Sequence, residues 1–188
     1  MNAERLGIPG LYLLKPQLFS DRRGHFFETW NDDDFARLTR TKVSFVQDAQ
    51  STSVRGTLRG LHFQCRLPQG KLVRVTRGEV FDVAVDLRFP SPTFGRWAGV
   101  VLSAENRAEF WIPEGFAHGF LVLSDEADVQ YKFTEHRSPE AERVLRYDDP
   151  DIGIRWPELA VPLILSVRDT TAPRLRDLDP ERDWTPRE

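Results

Sequence analysis

Reactive side chains are few in this chain, and most of them fall on short runs that alternate apolar and polar residues. The histidines are His25, His62, His118 and His136, the lysines Lys15, Lys42, Lys71 and Lys132, and the single cysteine is Cys65. His62 lies in Leu58-Arg59-Gly60-Leu61-His62-Phe63-Gln64. Period-two alternation puts Arg59, Leu61 and Phe63 on one face of that run and Leu58, Gly60, His62 and Gln64 on the other. Gly60 then leaves room beside the imidazole for a ligand, although a half-buried histidine bonded to a neighbouring strand fits the same spacing. Lys71 opens Gln69-Gly70-Lys71-Leu72-Val73-Arg74-Val75 with the parity of Val73 and Val75. It is either a rim lysine with its stem buried or a fixed cation facing the interior, placed to hold developing negative charge. Tyr131 shares the parity of Val129, the position of a packing residue that also carries a phenol. Asp169 follows Arg168 in Leu165-Ser166-Val167-Arg168-Asp169 and, taken alone, reads as a solvated turn.

The elements that must position these groups read as strands. Val73 and Val75, then Phe81, Val83, Val85 and Leu87 after Arg77-Gly78, form a hairpin pattern. Further strands are predicted at Gly10–Leu14, Gly24–Trp30, Ser44–Asp48, Thr57–Gln64, Gly95–Leu102, Glu109–Ile112, Gly119–Leu123 and Val129–Thr134, separated by Pro and Gly breaks. One helix is predicted at Asp32–Leu38, with Asn31 as its cap and three aspartates at its positive end. Many short strands and few helices imply an all-β sandwich or barrel, with a jelly roll as the two-sheet version. A length of 188 residues suits one domain, taken as residues 1–172, followed by a surface tail at 173–188 rich in Arg, Asp, Pro and Glu. A net charge of −3 gives no nucleic-acid footprint, no apolar run approaches the ~18 residues of a membrane span, and no secretory leader pattern opens the chain, so a cytoplasmic location is expected. Only four of the 26 basic residues are lysines, and arginine forks suit phosphate.

Trp111-Ile112-Pro113-Glu114-Gly115-Phe116-Ala117-His118-Gly119-Phe120 delivers His118 through a Pro-x-Gly turn to the start of a strand. The run resembles the second half of the cupin metal signature. The first half needs a His-x-His pair and a carboxylate, whereas this chain has only His62 there and an ammonium, Lys71, near the carboxylate position. A cation in a divalent site is electrostatically wrong, so no metal is expected.

Eight motifs together carry a more specific resemblance. They are Asp21-Arg22-Arg23-Gly24-x-Phe26-x-Glu28, Phe45-Val46-Gln47-Asp48, Leu58 to Gln64, Gln69 to Arg74, Gly78 to Asp86, Ser91-Pro92-Thr93-Phe94-Gly95, Leu102-Ser103-Ala104-Glu105-Asn106 and Trp111 to Phe120. In order and spacing they resemble the dTDP-4-dehydrorhamnose 3,5-epimerase family from about residue 5 to 173. That resemblance implies a cupin-type jelly-roll β-sandwich with a few short helices and no cofactor. It also implies inversion of C5 and C3 of a dTDP-linked 4-keto-6-deoxyhexose through enolates, on the route to dTDP-rhamnose. Epimerisation beside a carbonyl needs a base, a positive group for the enolate oxygen and a donor on the opposite face. By resemblance His62 is the base, Asp169 orients it, Lys71 balances the enolate and Tyr131 is the donor. Gln47, Arg59, His118, Glu142 and Arg168 match substrate contacts. Arg23 and Glu28 match residues that reach the nucleotide from a neighbouring subunit, so a homodimer with an exchanged N-terminal strand is implied.

The chain also departs from the family pattern. Gln47-Asp48-Ala49-Gln50-Ser51 replaces a common Gln-Asp-Asn-His-Ser, and Glu135-His136-Arg137 stands where an aromatic pair is usual. Arg137 is taken as the stacking substitute, since a guanidinium plane can lie on a base. The alternatives are an epimerase inverting only C3 or only C5, a nucleotide-sugar-binding cupin without catalysis, and a metal-dependent cupin enzyme.

Overall fold

The computed structural model describes residues 1–179. Its strands are β1 (Asn2–Arg5), β2 (Tyr12–Lys15), β3 (Phe19–Asp21), β4 (Gly24–Phe26), β5 (Gln47–Val54), β6 (Leu58–Gln64), β7 (Lys71–Arg77), β8 (Glu79–Asp86), β9 (Trp97–Ser103), β10 (Glu109–Ile112), β11 (Phe116–Val122), β12 (Glu126–Phe133) and β13 (Glu142–Val144). They form two antiparallel sheets, ordered β1-β2-β10-β7-β12-β5 and β13-β6-β11-β8-β9, with β3 and β4 as a separate two-stranded arm. This is the jelly-roll sandwich expected from the alternating runs. Its interior holds Val73 and Val75 from one sheet against Val80, Ala84, Phe116, Phe120 and Val122 from the other.

Both outer faces are partly covered as well. Leu61, Phe63, Cys65, Val83 and Val85 form a second cluster, and Ile154, Trp156, Leu175 and Leu178 pack on it. The described part of the expected surface tail therefore includes a short 3-10 turn, Leu175–Asp177, with apolar side chains turned inward. Its remainder, 180–188, lies outside the described residues. On the outer face of the other sheet, Tyr12, Leu14, Leu72 and Trp111 are covered by Phe35, Trp30 and Phe45. Phe35 belongs to α1 (Asp32–Thr39), whose cap is the predicted one: the Asn31 side chain accepts from the amide of Asp34 at 3.1 Å.

Several strand predictions shift: β11 begins at Phe116, three residues before the predicted Gly119, and the short strands β1, β3 and β13 were not predicted. The run 44–46 is not strand, and β5 instead continues through Ala49–Val54; the predicted Gly24–Trp30 strand is confined to Gly24–Phe26. Gly60 also differs from its sequence reading. Its φ is +128°, and a Cβ there would meet Gly119 Cα at 2.6 Å and the His118 carbonyl oxygen at 2.8 Å. The space over Gly60 is thus filled by the backbone of β11 and does not admit a ligand. Gly60→Ala is expected to cost at least ~3 kcal/mol, from a disfavoured dihedral and a backbone clash. Gly7→Ala, where nothing lies within 4 Å, is the control. A denaturation midpoint for Gly60→Ala equal to that of the control would contradict the packing described.

Candidate active site

One cleft, lined by strands of both sheets, gathers the chemistry. Arg59 and His62 from β6, Lys71 from β7, His118 and Phe120 from β11, Tyr131 and Phe133 from β12, Arg137 from the loop between β12 and β13, and Glu142 from β13 all line it. Period-two alternation had put Arg59 opposite His62. The register between β6 and β11 explains the difference: His118 pairs with His62 and Phe120 with Arg59, so three steps on β6 match two on β11. That bulge, at Gly60-Leu61, turns both side chains into one cleft.

His62 is bonded through Nε2 to Asp169 Oδ1 at 2.7 Å. The imidazole side chain is 40% exposed and the carboxylate 4%, so the imidazole faces the cleft while its carboxylate partner is sealed. Asp169 sits in α2 (Val167–Thr170), whose Ser166 cap accepts from the Asp169 amide at 3.1 Å. Burial alone raises the Asp169 carboxyl, but the hydrogen bond and charge of His62, with Ser166 and the Gly60 amide, hold it below the usual range. A carboxylate on Nε2 fixes the tautomer with that nitrogen protonated and leaves Nδ1 free to take a proton.

Lys71 is buried, and its Nζ donates to the backbone carbonyl of His62 at 3.1 Å, tying the cation to the strand that carries His62. Burial pulls its ammonium down to about 8, against the opposing charges of Asp82 and Glu142. Tyr131 meets Ser51 across the strand pair, with the two hydroxyl oxygens 3.2 Å apart. Burial pushes its phenol upward, more than the Ser51 hydrogen bond lowers it, so the group stays protonated and available as a donor.

His118 faces the interior as its position predicts. It is buried and bonded through Nε2 to both carboxylate oxygens of Asp82, at 2.9 and 3.0 Å, and burial holds it below the ordinary imidazole range. Asp82 was not singled out from the sequence. It alternates with the apolar Phe81 and Val83, a pattern that gives no sign of a buried carboxylate. In fact both faces of β8 are buried, and Asp82 lies diagonal to His118 across the β8–β11 pair.

Glu142 gathers the cleft mouth. It accepts from Arg137 at 2.7 and 3.0 Å and from Arg168 at 2.8 Å. Gln47 accepts from the amide of Arg137 at 2.8 Å. Arg59 donates through Nε to Ser53 at 3.0 Å. Arg23 and Glu28 are not in this cleft: Arg23 pairs with Asp21 at the tip of the β3–β4 arm, and Glu28 accepts from Asn31. Among the described residues no group of three or more His, Cys, Asp and Glu side chains is arranged to hold a metal ion, and no helix is long and apolar enough to cross a membrane.

The family model for dTDP-4-dehydrorhamnose 3,5-epimerase matches residues 5–177. A dTDP-4-dehydrorhamnose 3,5-epimerase of Pseudomonas aeruginosa is 54% identical over 179 residues, 95% of this chain and 98% of the relative. One from Methanothermobacter thermautotrophicus is 55% identical over 174 residues, 92% and 94% of the two chains. Among solved structures, the dTDP-6-deoxy-D-glucose-3,5-epimerase of Legionella pneumophila in complex with dTDP-4-keto-L-rhamnose superimposes with a TM-score of 0.92 at 48% identity, covering 96% of this chain and 95% of that one.

Proposed function

Because the chain belongs to the dTDP-4-dehydrorhamnose 3,5-epimerase family, we propose that its cleft inverts C5 and C3 of dTDP-4-keto-6-deoxyglucose to give dTDP-4-dehydrorhamnose. The observation that carries this reading is that an oriented imidazole, a buried ammonium and a protonated phenol line one cleft. His62 takes the proton from the carbon next to the C4 carbonyl, and the C–H electron pair moves into the ring to leave negative charge on O4. Lys71 balances that charge, which is stronger in the dry interior than in water. Tyr131 then gives a proton to that carbon from the opposite ring face as the enolate pair returns to it, His62 releases its proton to solvent and the tyrosinate takes one up, and the sequence repeats at the second carbon flanking C4. The chemistry needs no redox step and no metal to polarise the carbonyl.

Arg59 and Arg168 hold the diphosphate, and Arg137, fixed flat by Glu142, stacks on the thymine. Gln47, Glu142 and His118 supply further contacts to the substrate. Arg23 and Glu28 serve the cleft of a second copy. The arm that carries them exposes Phe19 at 55% and Phe26 at 68%, an apolar pair that a partner chain would cover. Mixing a His62→Ala chain with an Arg23→Ala chain is expected to restore up to about one quarter of wild-type activity, since half of random dimers then contain one intact site. Mixtures no more active than the separate variants would sink the shared-site reading.

The direct test of function is the proton NMR spectrum of the product sugar. Inversion at both C3 and C5 is expected, whereas inversion at one carbon would favour the single-site alternative. Unchanged substrate together with tight dTDP binding would favour a binding cupin.

A further inference from the structure

Arg74 and Glu109 lie away from the cleft as register partners on β7 and β10, and neither is satisfied. Glu109 is 1% exposed, and both of its carboxyl oxygens are buried without a hydrogen-bond partner. The Arg74 guanidinium, 27% exposed, reaches only to 3.9 Å from Glu109, too long for a hydrogen bond. Its five N–H donors have no acceptor among the described residues. On its open side Arg74 lines a second cleft, of about 190 Å³, with Thr76, His25, Phe27 and Arg107. Arg107 donates to His25 Nε2 at 2.8 Å and to the Glu105 carbonyl at 2.6 Å. No carboxylate pairs with it among the described residues.

A partly buried guanidinium without protein acceptors costs free energy, and a second cation lining the same cleft adds repulsion. Both costs are relieved by an anion. Arg107 donates to Nε2, so His25 carries its proton on Nδ1 and can donate from there, while Thr76 adds a hydroxyl. The volume is below the ~300 Å³ of a typical small-molecule pocket, so the occupant is compact. We propose that this cleft binds a tetrahedral oxyanion, a free phosphate or sulfate ion, with Arg74 and Arg107 as its charged donors and Glu109 as the group that competes for Arg74. The site does not rest on the epimerase reading, because it shares no residue with the catalytic cleft.

Competition gives the site a distinctive pH response. Burial pushes Glu109 up to about 8, with Arg74 and Lys132 pulling the other way. Facing it are Arg74 from β7, Lys132 from β12 with its partner Asp48 from β5, and the apolar Leu14 from β2. Below that pH Glu109 is a neutral acid and Arg74 is free for the anion. Above it the carboxylate claims Arg74, and anion affinity falls.

Sulfate is the probe of choice, because its own charge is constant over this range. Amide NMR signals of Thr76, Ala104 and Arg107 are followed as sodium sulfate is titrated against sodium chloride at matched ionic strength. Saturable shifts are expected at these three positions, weakened at least about tenfold in Arg107→Ala and about tenfold in wild type between pH 7 and pH 9. In Glu109→Gln the fall between these pH values should shrink to less than about threefold. Shifts no larger than with chloride would overturn the proposal. So would affinity unchanged in Arg107→Ala, or a pH response identical in Glu109→Gln, since Glu109 would then not be the group that competes with the anion for Arg74.

Discussion

His62→Ala should lose turnover by on the order of 10³-fold while its affinity for dTDP changes by less than about threefold. The asymmetry follows from where the side chain sits. Its imidazole opens onto the cleft, while the two arginines proposed to hold the diphosphate, Arg59 three residues earlier on β6 and Arg168 on α2, make their own contacts to Ser53 and Glu142. General-base catalysis contributes about 10²–10⁴-fold when the base is oriented, and the Asp169 bond at 2.7 Å supplies the orientation. Steady-state rates with calorimetric titration of dTDP check both halves. Turnover within tenfold of wild type would remove His62 from the base's role. Lost dTDP affinity would make it a binding residue.

Lys71→Met should lower kcat on the order of 10²–10³-fold, the usual loss when one preorganised charge is removed from a developing oxyanion. KM should move far less, because the ground-state ketone carries no charge for the ammonium to hold. Lys71 also sets a pH limb. Its burial-lowered value of about 8 means that the ammonium is charged below that pH and neutral above it, so kcat should fall on the alkaline side. Lys71→Arg keeps the charge at all working pH, and its residual activity should lose that limb. A wild-type profile flat to pH 10 would contradict the assignment, as would the same alkaline fall in Lys71→Arg.

Much of this was legible in the residues. Lys71, His118 and Tyr131 face inward because their parity matches that of apolar neighbours, and alternation reads such positions well. Arg59 was misplaced because a bulge costs one residue of phase, and nothing in Leu58 to Gln64 other than Gly60 marks it. The second half of β5 was missed for a functional reason. Ser51 and Ser53 are bonded to Tyr131 and Arg59, so the strand is polar on its cleft side as well as on its solvent side and shows no hydrophobic alternation. By contrast Phe45 fell within a predicted strand, but it covers the aromatic patch around Trp111 from a loop. Asp82 was hidden because β8 is buried on both faces, where period two carries no information about which side is interior. The His62–Asp169 pair spans 107 residues of sequence, and only the family resemblance, not spacing, could join them.

Conversion of the substrate in deuterium oxide bears most directly on the central claim, that this cleft moves protons at both carbons flanking C4. Solvent deuterium should appear at C5 and at C3 of the product, with neither label forming in His62→Ala. Deuterium at one carbon alone, or full labelling without His62, would contradict the account.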